Sequence, residues 1–210
     1  LHLSIRRQRQ MCIRDSGYPP EELLSHTFFV RKPDVFFRYY KTLLLTTDAK
    51  PNAAHAALAK LEAQGKLTAV VTQNIDGLHQ LAGSKNVYEL HGSIHRNHCM
   101  RCNRFFDAEY VKNHSGIPYC PCGGMIKPDV VLYEESLDPD VLAGAVAHIS
   151  RADMLIVGGT SLQVYPAAGL INYYSGNKLV LINKTGTPYD NYANLVINDS
   201  IGKVLSAAVE

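Results

Sequence analysis

The 210-residue chain contains no tryptophan and four methionines, and it has little charge imbalance. Its 21 lysines and arginines against 19 aspartates and glutamates leave a formal net charge of +2 at pH 7. So small a surplus, with no basic stripe beyond the first few residues, points to no nucleic-acid partner. No apolar run approaches the roughly 18 residues that a membrane span needs, so no membrane partner is expected. The charged start lacks an apolar h-region, so no secretory leader is expected either. Cysteine is scarce, at five, yet four of the five fall between residues 99 and 122. That clustering suits a metal site better than a disulfide framework, and with it a cytoplasmic location. What is present describes a soluble globular protein: 46% hydrophobic and 19% charged residues, in a chain long enough for one large domain or one domain plus a small module.

The chain is organised around Thr72-Gln73-Asn74-Ile75-Asp76-Gly77-Leu78-His79. Before it, the β-branched run Leu67–Val71 reads as a buried parallel strand. Open α/β sheets bind ligands in the crevice beyond the carboxyl ends of their strands, which is where this polar stretch falls. Taken alone, it is also compatible with an ordinary strand-to-helix turn. Two further strands repeat the theme: Met154–Val157 runs into Gly158-Gly159-Thr160-Ser161, and Lys178–Ile182 runs into Asn183-Lys184. Pro166–Tyr174 between them can form a crossover helix. Asp138-Pro139-Asp140 is a helix start, and Val141, Leu142, Ala145 and Ile149 follow it as an apolar side. Asp199 precedes a terminal helix bearing Ile201, Val204, Leu205 and Ala208. Pro51-Asn52 opens a helix with Ala54, Leu58 and Leu61 on one face, Gly65 as its stop, and His55 in a packing or capping role. Phe36, Tyr40, Leu43 and Leu44 recur at helical spacing and read as core. Alternating strands and helices imply a Rossmann-like α/β fold with a doubly wound parallel sheet.

Cys99-x-x-Cys102 and Cys120-x-Cys122 form two pairs 17 residues apart. Four thiolates in tetrahedral array make a closed structural zinc site. The second pair is one residue tighter than the usual C-x-x-C, which keeps His95, His98 and His114 in view as substitute ligands. A ribbon this short needs such a staple.

The order TQNIDGLH, then Glu89-Leu90-His91-Gly92, then a cysteine-paired insert resembles the sirtuins, NAD-dependent protein deacylases, over roughly residues 17–210. The resemblance implies NAD as cofactor, a structural zinc, and acyl-lysine proteins or peptides as substrate. His91 becomes the base that deprotonates a ribose hydroxyl, the task for which imidazole is suited near neutral pH. Asn74, Ile75 and Asp76 position the nicotinamide, its ribose and nearby water, with Asn74 and Asp76 counted with His91 as catalytic. Gln73 contacts ribose, and Gly159, Thr160 and Ser161 approach the dinucleotide closely. Asn183, Asp199 and Ile201 hold the adenosine half. The acyl-peptide lies between the segments containing Val131, Leu132 and Tyr133 and Val164 and Tyr165, by strand addition. Members that prefer succinyl-lysine carry a Tyr-x-x-Arg pair where this chain reads Phe37-Arg38-Tyr39-Tyr40, so an uncharged acyl group is favoured.

The resemblance also sets an organisation: residues 1–16 as a foreign leader, 17–94 and 126–210 as the NAD-binding domain, and 95–125 as the zinc module. Sirtuins begin with a GAG-x-S loop and a D-F-R segment, which this sequence lacks, so an amino-terminal truncation that weakens NAD binding is expected. Two other readings remain: an NAD-dependent mono-ADP-ribosyltransferase, and a non-catalytic NAD- or ADP-ribose-binding fragment or zinc-ribbon interaction module.

Overall fold

Three apolar runs of the carboxyl-terminal half pair in parallel. β6 (Leu155–Gly158), β7 (Leu179–Ile182) and β8 (Leu195–Ile197) form a sheet in that order, with Leu155 opposite Leu179 and Val180 opposite Leu195. The computed structural model describes residues 17–45 and 48–209. The expectations for residues 1–16 lie outside the described residues.

The chain divides into two compact units. Among the described residues, one contains 17–45, 48–49, 74–77 and 91–137; the other contains 50–73, 78–90 and 138–209.

In the second unit, successive residues of β7 face opposite ways, as a pleated strand requires. Leu179 and Leu181 pack with Leu162, Ile171, Leu155 and Val157, while Val180 and Ile182 pack with Ala54, Ala57, Ile201 and Leu205. Both faces of the sheet are therefore covered, the condition under which parallel strands become continuously apolar. The helix Ala53–Ala63 is capped by Asn52, whose side chain accepts from the Ala54 and His55 amides at 2.9 and 3.3 Å. His55 Nδ1 in turn accepts from the Asn52 amide at 3.2 Å, so this histidine completes a capping box. The helix Pro139–Ser150 begins as its sequence predicts, with Asp138 accepting from the Asp140 and Val141 amides and burying Ala145 and Ile149. β1 (Val70–Thr72) pairs in parallel with β2 (Val87–Glu89). The expected crossover helix is present over Ala167–Tyr173, but as a 3-10 helix. Gly169 within it lowers its α-helical propensity.

The first unit is built on an antiparallel sheet in the order β4–β3–β5, where β3 is Gly92–Cys99, β4 Phe105–Phe106 and β5 Ile126–Val130. β3 runs without interruption from the residue after His91 into the cysteine segment. Its register against β5 shifts between Ser93 and Asn97, a bulge that re-aims the intervening side chains. Around this sheet pack the helices His26–Arg31 and Pro33–Tyr39, the latter continued by a π-helical turn over Tyr40–Leu44. Phe29, Phe36, Phe37 and Tyr40 are essentially inaccessible. Three of their ring pairs meet edge to face at 5.0–5.9 Å, so the aromatic run is core, as its spacing indicated. Among the described residues no helix is long and apolar enough to cross a membrane.

Candidate functional site

Within the second unit, the residues selected from the sequence fall at one edge. Gly159, Thr160 and Ser161 follow β6, Asn183 follows β7, and Asp199 and Ile201 lie just past β8. Three loops from the carboxyl ends of three adjacent parallel strands thus stand side by side, the arrangement in which open α/β sheets hold nucleotides. The edge is held by its own backbone: the Gly159 amide donates to the Ile182 carbonyl and the Asn183 amide to that of Ile197, each at 3.1 Å. Thr160 Oγ1 accepts from the Leu162 amide at 3.2 Å, and Asn183 Nδ2 donates to the Thr185 carbonyl at 2.9 Å. The Asp199 carboxylate pairs with the Lys203 ammonium at 2.6 Å and accepts from the Ser200 amide at 2.7 Å. Those two partners hold its carboxyl below the usual carboxylate range. Gln73 follows β1 in the same unit. Hydroxyls, a carboxamide, a carboxylate and glycine-rich backbone are the donor set that ribose and phosphate groups require, so these residues fit NAD. Val164 and Tyr165 are exposed side chains of this unit, 47% and 69% accessible.

Asn74, Ile75, Asp76 and His91 belong to the first unit. The Asn74–Gly77 loop is tied to β3 twice. The Ile94 amide donates to the Ile75 carbonyl, and His95 Nε2 bonds the Asp76 carbonyl, both at 3.0 Å. His91 is half-buried immediately before β3, and its carbonyl accepts from the Val131 amide at 3.0 Å. The glycine after it is obligatory: Gly92 sits at φ +74°, and a Cβ there would lie 1.7 Å from the Asp129 carbonyl oxygen. This is why the polar motif ends in glycine.

The segment 131–133, expected from the sequence to meet the peptide, is tied into its own unit. The Tyr133 amide donates to the Leu24 carbonyl and the His26 amide to that of Tyr133, both at 3.0 Å. The Leu132 amide donates to Glu135 Oε2 at 2.8 Å. With Val131 bonded to His91, all three amides are engaged inside the unit. Leu132 is buried, whereas the Tyr133 ring is half exposed. Glu135 also receives His26 Nδ1 at 2.8 Å and the Lys127 ammonium at 3.1 Å. Burial pushes its carboxyl up, but the Leu132 amide, His26 and Lys127 outweigh that and leave it below its ordinary value. Neither the Glu135 cluster nor the role of His95 is legible in the sequence, because Lys127 and His26 stand 8 and 109 residues from Glu135 and Asp76 stands 19 from His95, with no local pattern.

The four cysteines converge. Cys99 and Cys122 Sγ lie 3.5 Å apart, Cys102 and Cys120 Sγ 3.6 Å, and all four sulfurs fall within 4.8 Å of one another. Zinc–sulfur bonds of about 2.3 Å imply tetrahedral edges of about 3.8 Å, so the set fits a zinc ion. Backbone closes on it: a Cβ at Gly124 would stand 2.6 Å from Cys99 Sγ, and the Arg101 and Cys102 amides point at that sulfur from 3.4 and 3.5 Å. Burial opposes thiolate formation at Cys99, yet the amides of Cys102 and Arg101 bring its pKa down to about 6. The three histidines considered as substitutes are engaged elsewhere: His95 with Asp76, His98 with Asp129 at 2.8 Å, and His114 with the Ser115 carbonyl at 2.8 Å. No nitrogen of these histidines joins the four sulfurs, so the tight Cys120-Pro121-Cys122 turn supplies two ligands without their help. Among the described residues no other cluster of three or more metal-capable side chains occurs.

Comparison with known proteins agrees with this geometry. The sequence profile of the Sir2 family matches residues 12–166. A protein of Clostridium acetobutylicum named NAD-dependent protein deacetylase is 66% identical over 195 residues, which cover 92% of this chain and 80% of that one. A solved structure described as Sir2 with a p53 peptide and NAD+ is 40% identical with a TM-score of 0.84, covering 93% of this chain and 87% of the other. Another, described as Sir2 bound to acetylated peptide, is 39% identical with a TM-score of 0.82 over the same shares.

Proposed function

The chain belongs to the Sir2 family, with that family's Rossmann-like α/β fold, and we propose that it is an NAD-dependent protein-lysine deacetylase that passes the acyl group to ADP-ribose and releases nicotinamide. The observation that carries the reading is the set of loops at the carboxyl edge of β6–β8, in a chain whose relative bears that activity in its name. NAD supplies, when bound, an electrophilic anomeric carbon with nicotinamide as its leaving group. The His91 imidazole accepts the proton of a ribose hydroxyl. Asn74, Ile75 and Asp76 orient the nicotinamide ribose, and Gln73 reaches the ribose as well. Gly159, Thr160 and Ser161 meet the dinucleotide with backbone and hydroxyls, while Asn183, Asp199 and Ile201 hold its adenosine half.

Val131, Leu132 and Tyr133 of one unit and Val164 and Tyr165 of the other are the residues assigned to the acyl-lysine peptide, and Phe37-Arg38-Tyr39-Tyr40 in place of a Tyr-x-x-Arg pair favours an uncharged acyl group. Residues 95–125, holding zinc through Cys99, Cys102, Cys120 and Cys122, form a structural module of their own beside the NAD-binding domain of 17–94 and 126–210. Cysteines gathered into a metal site and not into disulfides also suit a reducing, cytoplasmic setting.

The test is product identification after incubation with NAD and an acetyl-lysine peptide. Deacetylated peptide with nicotinamide and acyl-ADP-ribose supports the proposal. An ADP-ribosylated acceptor would replace it with mono-ADP-ribosyl transfer, and NAD binding without turnover would replace it with a binding module.

A further inference from the structure

We propose that His95 is a positioning residue for NAD, acting as a latch that holds the Asn74–Gly77 loop in its binding-competent form. This rests on the deacetylase reading, which places Asn74, Ile75 and Asp76 against the nicotinamide ribose.

The loop carries three residues assigned to the cofactor, yet it is four residues long and has no secondary structure. Its shape comes from β3. Two consecutive carbonyls, those of Ile75 and Asp76, are held by two consecutive residues of the strand, one through the Ile94 amide and one through the His95 side chain. Fixing two adjacent carbonyls sets the planes of two adjacent peptides, and with them the directions in which the Ile75 and Asp76 side chains leave the backbone. The third contact is steric. Gly77 is at φ +68°, and a Cβ there would lie 2.9 Å from His95 Cδ2, so the imidazole covers the face that glycine leaves open. His95 itself is oriented from its own strand, its amide donating to Ser93 Oγ at 3.2 Å. β3 begins one residue after His91, so a single strand carries the base at its start and the latch four residues later.

The bond to the Asp76 carbonyl requires the proton on Nε2 of the imidazole, since a carbonyl only accepts. The Ile94 amide is backbone and survives any substitution of its side chain, whereas the second hold depends on residue 95 being a side-chain donor of the right length. Preorganising a loop lowers the ordering cost that a ligand otherwise meets on binding.

Four measurements on the full chain test this in His95→Ala and His95→Gln. They are NAD affinity by calorimetry, KM for NAD and for the acetyl-lysine peptide, amide exchange at Ile94 without NAD, and zinc content with melting temperature. His95→Ala should weaken NAD binding and raise its KM about three- to tenfold, the worth of one hydrogen bond, while the peptide KM stays within twofold. Exchange at Ile94 should quicken, zinc and melting temperature should hold, and His95→Gln, which keeps a donor, should recover most of the affinity. NAD affinity unchanged within twofold in His95→Ala would overturn the latch. So would a fall in NAD and peptide binding together with lost zinc and a lower melting temperature, because that pattern marks a merely structural residue. If the parent binds no NAD, the deacetylase reading fails, and the exchange rate at Ile94 still decides whether His95 holds the loop.

Discussion

At the scale of single residues, His91 and Gly92 divide the work of one motif. His91 offers the imidazole, and Gly92 lets the chain turn into β3 against the Asp129 carbonyl. His91→Ala should lower deacetylation by roughly 10²–10⁴-fold, the usual worth of a general base, while leaving the melting temperature near that of the parent. A variant that keeps near-normal turnover would remove the base from the mechanism. Gly92→Ala should behave in the opposite way. A methyl group 1.7 Å from a backbone oxygen, at a left-handed φ, forces the strand apart, so the loss should be at least about 2 kcal/mol of stability and visible in thermal melting. An alanine variant that melts with the parent would show that β3 and β5 separate easily here.

At the scale of elements, local capping and long-range carboxylates do different jobs. Asp138 caps the helix Pro139–Ser150 through two amides, and Asp138→Ala should cost about 1 kcal/mol in chemical denaturation without affecting NAD binding. Glu135 instead ties its own turn at Leu132 to Lys127 of β5 and to His26, 109 residues away. Because its folded pKa lies below its ordinary value of 4.5, it stabilises the fold above that pH. The contribution disappears as pH falls through the depressed folded value. Below about pH 4.5 the parent should therefore lose melting temperature more steeply than Glu135→Gln, and the two curves should converge in acid. Parallel curves would mean that the carboxylate contributes nothing through its charge.

At the scale of the whole molecule, two units with different sheets meet different demands. The parallel sheet presents loops at one edge, while the antiparallel unit carries His91, the Asn74–Gly77 loop and the cysteines. The cysteine segment contains short strands and a six-residue helix, too little buried surface to stand without a staple. Purified protein should hold about one zinc per chain. Chelation or Cys99→Ser should disorder residues around β4, read as faster amide exchange there, before it slows chemistry. A metal-free chain that keeps its fold and activity would end the structural role of zinc.

The sequence alone determined what local physics controls. Asp138-Pro139 starts a helix, Pro51-Asn52 opens another, the apolar runs at 154–157 and 178–182 read as parallel strands, and four cysteines supply metal ligands. Each of these depends on residues within a few positions of one another, or on a pattern repeated along the chain, so the sequence carries it openly. Tertiary structure decided the rest. It gave His95 to the Asp76 carbonyl instead of the metal, bound Glu135 to a helix start 109 residues away, turned the helix after Pro166 into a 3-10 helix, and engaged the amides of 131–133. These outcomes follow from register between strands and from which segments are brought side by side, and no local pattern of residue types encodes such a pairing.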